Sequence, residues 1–262
     1  MLTNRLKDRL RADEPVFGTW LNFNDSLSAQ VLGRSGFDFL VIDMEHGPIT
    51  AESAEAIAIA TKTTPALPIV RTAWNDSVSV QRSLDMGVVG AIVPYVNDVA
   101  TARRVVADGR YPPLGGRSRG GVRSPYAFDT DVATYVAGAN DAVLLLIMIE
   151  TAAAVQVVDQ IVALDGVDGV FVGPNDLSAT NGLAYPASWD TGAPQLHDAV
   201  AAVAKAARAN GKFAGILAKD VAMAERCLEL GYRFLAVGND VGMLSGAATA
   251  ATAKLRRTKL PT

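Results

Sequence analysis

The sequence predicts a single-domain α/β protein, a closed (β/α)8 barrel of the TIM type. Three observations carry that reading. Eight short apolar runs recur along the chain, each followed by a stretch with helix caps and helical composition. Alternation of this kind builds a parallel sheet, and eight units suffice to close it. No shift in composition marks a linker, and 262 residues, 50% of them hydrophobic, match one barrel of roughly 250 residues. An open, doubly wound sheet is the alternative that the same units could build.

A charged segment over about 1–13 reads as a helix ahead of the first strand. That strand spans 16–23 and carries Trp20; Asp25 or Ser26 then caps a helix that runs to 33–36. The second strand opens the stretch FDFLVIDMEHG at 37–47, an uninterrupted apolar run typical of a strand buried on both faces. It breaks abruptly into Asp43, Glu45 and His46. Thr50 and Ser53 open a helix over 50–63, and the third strand, 67–72, ends at Arg71. Asn75 and Asp76 cap the next helix, which stops at Gly87. Strand four covers 91–96 with Pro94 near its exit, and its helix runs over 98–109.

The pattern lapses over 109–124, GRYPPLGGRSRGGVRS, a Gly/Pro/Arg-rich loop of a length usually tied to function or disorder. A short helix to 139 follows. Strand five, 143–149, ends in Glu150, and a helix covers 151–163. Strand six, 169–173, ends in Pro174, Asn175 and Asp176. A looser stretch with Gly182, Pro186, Trp189 and Pro194 precedes an Ala-rich helix to Asn210. Strand seven spans 213–218, its helix 221–230, strand eight 234–238, and the last helix about 241–257.

Composition narrows the function. A net charge of -3, with no basic run beyond Arg256 and Arg257, argues against a nucleic-acid partner. The longest apolar run, 142–149, is far shorter than the roughly 20 residues of a membrane helix, and the N-terminus lacks an apolar signal core. One cysteine rules out an internal disulfide and suits a reducing compartment, so a cytoplasmic protein acting on small molecules is expected.

In a parallel barrel the reacting groups sit where the strands run out. Those ends hold Asp43, Glu45 and His46, then Arg71, Glu150, Asp176 and Asp240, whereas the strand interiors carry almost no charge. Glu150 and Asp176, on neighbouring strands, offer hard oxygen ligands that suit Mg2+ or Mn2+. Arg71 presents a planar fork matched to a carboxylate. His46 can act as a general base near neutral pH, with Asp43 to orient it. Together these groups suit removal of a proton next to a carbonyl. Singly, each has a structural reading as a cap, an ion pair or a hydrogen-bonded histidine. His197, at the start of an Ala-rich helix, and Cys227, mid-helix without a base, read as structural.

The motifs IDMEHGP, PIVRTAW, YPPLGGRSRG, MIET and GVFVGPNDLSAT, in this order, resemble the HpcH/HpaI family of class II pyruvate aldolases. The likeness runs from Phe17 to Met243 and is greatest to its 4-hydroxy-2-oxoheptanedioate and 2-keto-3-deoxy sugar-acid aldolases. It implies a barrel whose last helix is exchanged between subunits of a homo-hexamer. It implies Glu150 and Asp176 as ligands of Mg2+, Mn2+ or Co2+, Arg71 as the arginine on the pyruvate carboxylate and keto oxygen, and His46 as the base partnered by Asp43. Gly173 and Asn175 match the turn that holds the pyruvate carboxylate, Trp20 and Leu217 the pocket walls, and Asp85, counted here with the catalytic residues, an acidic residue near a subunit contact. Met148, Lys219 and the Arg117-Ser118-Arg119 loop depart from the family pattern and bear on the aldehyde half of the site.

The resemblance implies reversible addition of pyruvate or hydroxypyruvate to an aldehyde. Three rivals use the same residues differently. Lys219 could serve as a Schiff-base nucleophile; the barrel could cleave an acyl-CoA ester, as citrate-lyase-like relatives do; or it could be a silent scaffold or small-acid sensor.

Overall fold

The computed structural model describes residues 2–182 and 194–257, so the stretch with Pro186 and Trp189 lies outside the described residues. Eight parallel strands close into a barrel in sequence order, with β8 paired back onto β1. They are β1 Val16–Leu21, β2 Phe39–Asp43, β3 Leu67–Arg71, β4 Gly90–Val93, β5 Leu144–Ile149, β6 Gly169–Val172, β7 Phe213–Ala218 and β8 Phe234–Asn239. The closed alternative thus prevails over the open sheet.

Helix α1 (Arg5–Arg11) precedes the barrel, and α2 (Ser26–Gly33), α3 (Ala51–Lys62), α4 (Ser77–Asp85) and α5 (Val99–Gly109) follow the first four strands. Each begins where the sequence offers a cap: the side chains of Asp25, Thr50, Asp76 and Asp98 accept backbone N–H groups of the first turn. After the 110–122 loop come α6 (Arg123–Ala127) and α7 (Val132–Ala142). The second half adds α8 (Ala152–Gln156), α9 (Val158–Val162), α10 (Pro174–Thr180), α11 (Pro194–Ala209), α12 (Val221–Glu229) and α13 (Asp240–Arg257).

Three departures from the sequence reading have a local cause. β4 stops at Val93 because Pro94 has no N–H to extend the ladder. The helix expected over 151–163 is divided at Val157, whose φ of -117° leaves the helical region. The single helix expected before strand five is two, α6 and α7, with Asp131 capping the second.

Two apolar layers result. One lies between strands and helices; the other fills the barrel with inward side chains such as Phe39, Val41, Ile69, Ile92, Leu146, Phe171 and Phe234. Phe39 stacks on Phe234 at 4.0 Å, and a Cβ at Gly18 would stand 2.4 Å from the Phe39 ring, so glycine opposite is required for space. Leu6 and Leu10 of α1 join this inner cluster, so α1 plugs the N-terminal end. The C-terminal end is left open for chemistry. Among the described residues no helix is long and apolar enough to cross a membrane. Beyond Asp240, every residue of α13 is exposed.

Candidate active site at the barrel mouth

Side chains alternate along a strand, so the parity that fills the barrel also decides what faces its mouth. Counting on from Val41 gives Asp43 and Glu45; from Ile69, Arg71; from Leu146 and Met148, Glu150; from Phe171, Gly173. Trp20 and Leu217 share this inward parity on β1 and β7, Trp20 buried and Leu217 half-buried.

Asp43 and Arg71 are register partners on β2 and β3. The guanidinium donates through Nε to Asp43 Oδ1 at 2.9 Å and through one terminal nitrogen to Oδ2 at 2.7 Å. The other terminal nitrogen lies 2.9 Å from Glu45 Oε2. Its plane sits 4.4 Å over the Trp20 ring. Flanked by two acids and stacked on an indole, the fork has one orientation, and its uncommitted N–H groups remain for a ligand.

The expected Asp43–His46 pairing is not what this arrangement contains. Besides Arg71, the Asp43 carboxylate accepts from the Asn22 amide at 2.8 Å and from the backbone N–H groups of Glu45 and His46. It therefore orients Arg71 and fixes the turn that carries His46. The His46 imidazole is exposed, and its Nε2 lies 3.9 Å from Glu45 Oε2. Glu45, given no role of its own in the sequence reading, thus touches both Arg71 and His46. Asn22 was missed as well. Both continue the inward parity of their strands, the signal that could have found them.

Glu150 is 2% exposed. Its Oε1 accepts the Tyr95 N–H at 2.6 Å. Tyr95 is held in the left-handed region, φ 57°, with its carbonyl and that of Pro94 accepting from the Asn75 amide. Strain of this kind at a strand exit is the price of aiming one N–H at one carboxylate. Burial pushes the Glu150 carboxyl up to about 7 against the pull of that hydrogen bond, and the charges of Glu45 and Asp176 push the same way. Burial likewise raises Glu45, with Arg71 and His46 opposing, and Asp43 and Asp176 adding. Glu45, Glu150 and Asp176 thus act on one another electrostatically at the mouth.

Asp176 sits half-buried in the first turn of α10, which Pro174 opens at its first position. Gly173 ends the approach: a Cβ there would meet Met148 Cε at 2.6 Å and Glu150 Oε2 at 3.0 Å, so the space beside Glu150 exists only because this residue is glycine. Met148 is buried beneath it, and Asn175 is exposed.

An all-oxygen, carboxylate-rich site whose buried member resists ionisation fits a hard dication. Among the described residues no group of three or more His, Cys, Asp or Glu side chains could hold an ion by itself. A pair fits an ion that keeps water and substrate oxygens in its shell, as Mg2+ does.

Other sequence candidates lie elsewhere. Asp240 accepts backbone N–H groups of Asn22, Phe23 and Val241, so it caps the β1 exit and opens α13. Asp85 is the last residue of α4, in the helical layer, where its carboxylate accepts from Arg117 at 2.6 Å. Arg117 is buried and packs 4.7 Å over Tyr111, so this arginine ties its loop to the barrel wall, while Arg119 is exposed. Lys219 is exposed, 3.9 Å from Asp220, rather than enclosed in an apolar pocket. His197 lies half-buried on α11. Cys227 is buried, and burial pushes its thiol up to about 12, which disqualifies it as a nucleophile.

Residues 16–247 match the model of the HpcH/HpaI aldolase/citrate lyase family. A 4-hydroxy-2-oxo-heptane-1,7-dioate aldolase of Salmonella dublin is 40% identical over 256 residues, 97% of this chain and 95% of that protein. Among solved structures, an HpcH/HpaI aldolase/citrate lyase family protein from Burkholderia cenocepacia J2315 superposes with a TM-score of 0.87 at 34% identity, covering 97% of this chain and all of that one. An HpcH/HpaI aldolase from Desulfitobacterium hafniense DCB-2 gives a TM-score of 0.89 at 29% identity, covering 99% and 98%.

Proposed function

The chain belongs to the HpcH/HpaI aldolase/citrate lyase family and is a carbon–carbon lyase, and we propose that its mouth catalyses reversible aldol addition of pyruvate or hydroxypyruvate to an aldehyde. The observation that carries this reading is the Arg71 fork, fixed between Asp43 and Glu45 at the strand exits that also carry the buried Glu150.

In this reading the uncommitted N–H groups of Arg71 bind the 2-oxoacid carboxylate and keto oxygen. Trp20 and Leu217 wall the methyl end with apolar surface, and Gly173 with the Asn175 backbone leaves room for the carboxylate. Glu150 and Asp176 would hold a divalent ion, Mg2+, Mn2+ or Co2+, which supplies positive charge where the keto oxygen becomes anionic. His46 Nε2 takes a proton from the methyl carbon, and the Glu45 carboxylate steadies the imidazolium that forms. The enolate carbon then attacks the aldehyde carbon, and the proton returns to the new alkoxide. Cleavage of a 4-hydroxy-2-oxoacid is the reverse.

The reading extends to assembly. Val241, Met243, Leu244 and Leu255 are exposed on α13, which supports packing of this helix on another copy of the chain in a homo-oligomer.

Pyruvate release from a panel of 4-hydroxy-2-oxoacids, before and after EDTA and again with Mn2+, tests the whole. Loss with the chelator and recovery with the ion are expected. Turnover indifferent to EDTA, borohydride trapping with pyruvate, or activity confined to acyl-CoA esters would each overturn it.

A further inference from the structure

A second cleft, of about 460 Å3, opens at the opposite, N-terminal end of the barrel, between α1, the C-terminal end of α11 and the starts of β7 and β8. It plays no part in the aldol chemistry. Its walls carry Lys7, Arg11, Arg208, Lys212 and Arg233 against only Asp13 and Asp168.

The imbalance is not spread over the surface. Lys7 and Arg110 are buried, and both lean on the single carboxylate of Asp168, each at 2.6 Å. Asp168 also accepts the Leu145 N–H, so one acid serves two buried cations and a strand end. Burial accordingly lowers the Lys7 ammonium, with Arg110 and Arg11 adding to the effect against the pull of Asp168. Arg233 is occupied by Asp13 at 2.9 Å, and Arg11 by Asp141. Among the described residues nothing engages the Arg208 guanidinium by hydrogen bond or ion pair, and the Lys212 ammonium donates only to the Val167 carbonyl. Two cations at the rim thus stand over a base that is itself short of negative charge. A concave, positively charged wall of low dielectric focuses potential inward and draws anions.

We propose that this cleft binds the phosphate group of a small phosphorylated molecule, with Arg208 and Lys212 as its principal contacts. A phosphate offers enough acceptor oxygens to engage a guanidinium fork and an ammonium together. The volume lies within the roughly 300–1,000 Å3 of small-molecule sites and leaves space for a sugar-sized remainder. The plainer reading is that Arg208, in the last turn of α11, only complements the helix C-terminus. Arg34, at the C-cap of α2, is exposed at another helix C-terminus, where it donates to the Thr63 carbonyl, and serves as the control.

Calorimetric titration of the full-length protein with inorganic phosphate and with ribose 5-phosphate, at fixed ionic strength, decides between them. Saturable binding is expected, at least tenfold weaker in the Arg208→Gln/Lys212→Gln double variant and unchanged in Arg34→Gln. Saturating pyruvate with Mg2+ should leave it in place. No saturable binding, equal loss in Arg34→Gln, or displacement by pyruvate with Mg2+, which would put the anion at the mouth, each overturns the proposal. Should the double substitution impair folding, Arg208→Gln alone removes no hydrogen bond or ion pair among the described residues and should weaken binding about threefold. Undiminished binding there would equally sink the idea. The pyruvate-release assay runs in parallel, so a failed mouth and an empty cleft give different results.

Discussion

Replacing Gly173 with alanine adds one methyl group at the tightest point of the mouth. The backbone there, φ -97°, accepts alanine without strain, so only space is at issue. The new Cβ would stand 2.6 Å from Met148 Cε, 3.0 Å from Glu150 Oε2 and 3.1 Å from Glu150 Cβ. Met148 can yield, because its contacting atom ends a flexible chain. Glu150 cannot yield without cost, because Oε1 is tied to the Tyr95 N–H at 2.6 Å and the side chain is buried. Overpacking of this kind costs about 1–3 kcal/mol, a fall of several degrees in Tm for a chain of this size. The larger effect falls on the ion. Turning Oε2 out of its direction should weaken Mn2+ binding about 10- to 100-fold, on the scale seen when groups that orient a ligand are lost. Mn2+ titration followed by electron paramagnetic resonance, with thermal unfolding alongside, separates the two effects. If Tm falls while Mn2+ affinity stays within about twofold of the parent, Met148 alone has moved, and Glu150 is not the aimed ligand argued for.

The remaining predictions address the other groups. Glu150 takes up its proton near pH 7 in the metal-free fold rather than at 4.5, so between those values the folded state holds more protons than the unfolded chain. Stability after EDTA should therefore fall as pH rises from about 4.5 to 7, by up to roughly 3 kcal/mol, with Mn2+ or Glu150→Gln flattening the slope; a Tm that climbs over this range contradicts the burial argument. Arg71→Lys forfeits the bidentate hold on Asp43 and should raise the KM for pyruvate about a hundredfold, checked by initial rates. His46→Ala should slow pyruvate methyl-proton exchange, read by deuterium incorporation, by about 100- to 10,000-fold while pyruvate affinity changes little. Asp85→Ala leaves the buried Arg117 guanidinium unpaired and should cost about 3–5 kcal/mol in denaturant unfolding, yet leave that exchange rate intact; a slowed exchange in folded protein would restore Asp85 to the chemistry.

Legibility in the sequence followed how local each cause was. Eight apolar runs and their helix caps are short-range signals, and the barrel follows from them with few topological choices left. The places of Arg71, Glu150 and Asp176 at strand exits were readable because the apolar runs before them end sharply. Asp240 stood in the same position and proved to be a cap. Its role is set by the N–H groups of Asn22 and Phe23, more than 200 residues away in sequence, where no local pattern reaches. The Asp43–His46 pairing failed for a related reason. Proximity in sequence suggested it, whereas the β2–β3 register placed Asp43 beside Arg71 and filled its oxygens. Glu45 was legible through strand parity, had the count been carried past the end of the strand.

Charge balance explains why the parts of the mouth require one another. Asp43 and Arg71 neutralise each other in a bidentate pair, which leaves Glu45, Glu150 and Asp176 in excess at the mouth, with the exposed His46 imidazole beside Glu45. A 2-oxoacid is itself an anion, and three carboxylates would repel it however well Arg71 is aimed. Two remedies exist. Glu150 can keep its proton, which its buried setting favours near neutral pH and which quiets the site. Alternatively, a dication can take the proton's place, which frees Glu150 to ionise, cancels the repulsion and leaves Arg71 and the ion as the attraction for the substrate. The Tyr95 turn favours the second case. Its N–H is aimed at Glu150 Oε1 and stabilises the ionised carboxylate more than the neutral acid, whose carbonyl oxygen accepts the same bond more weakly.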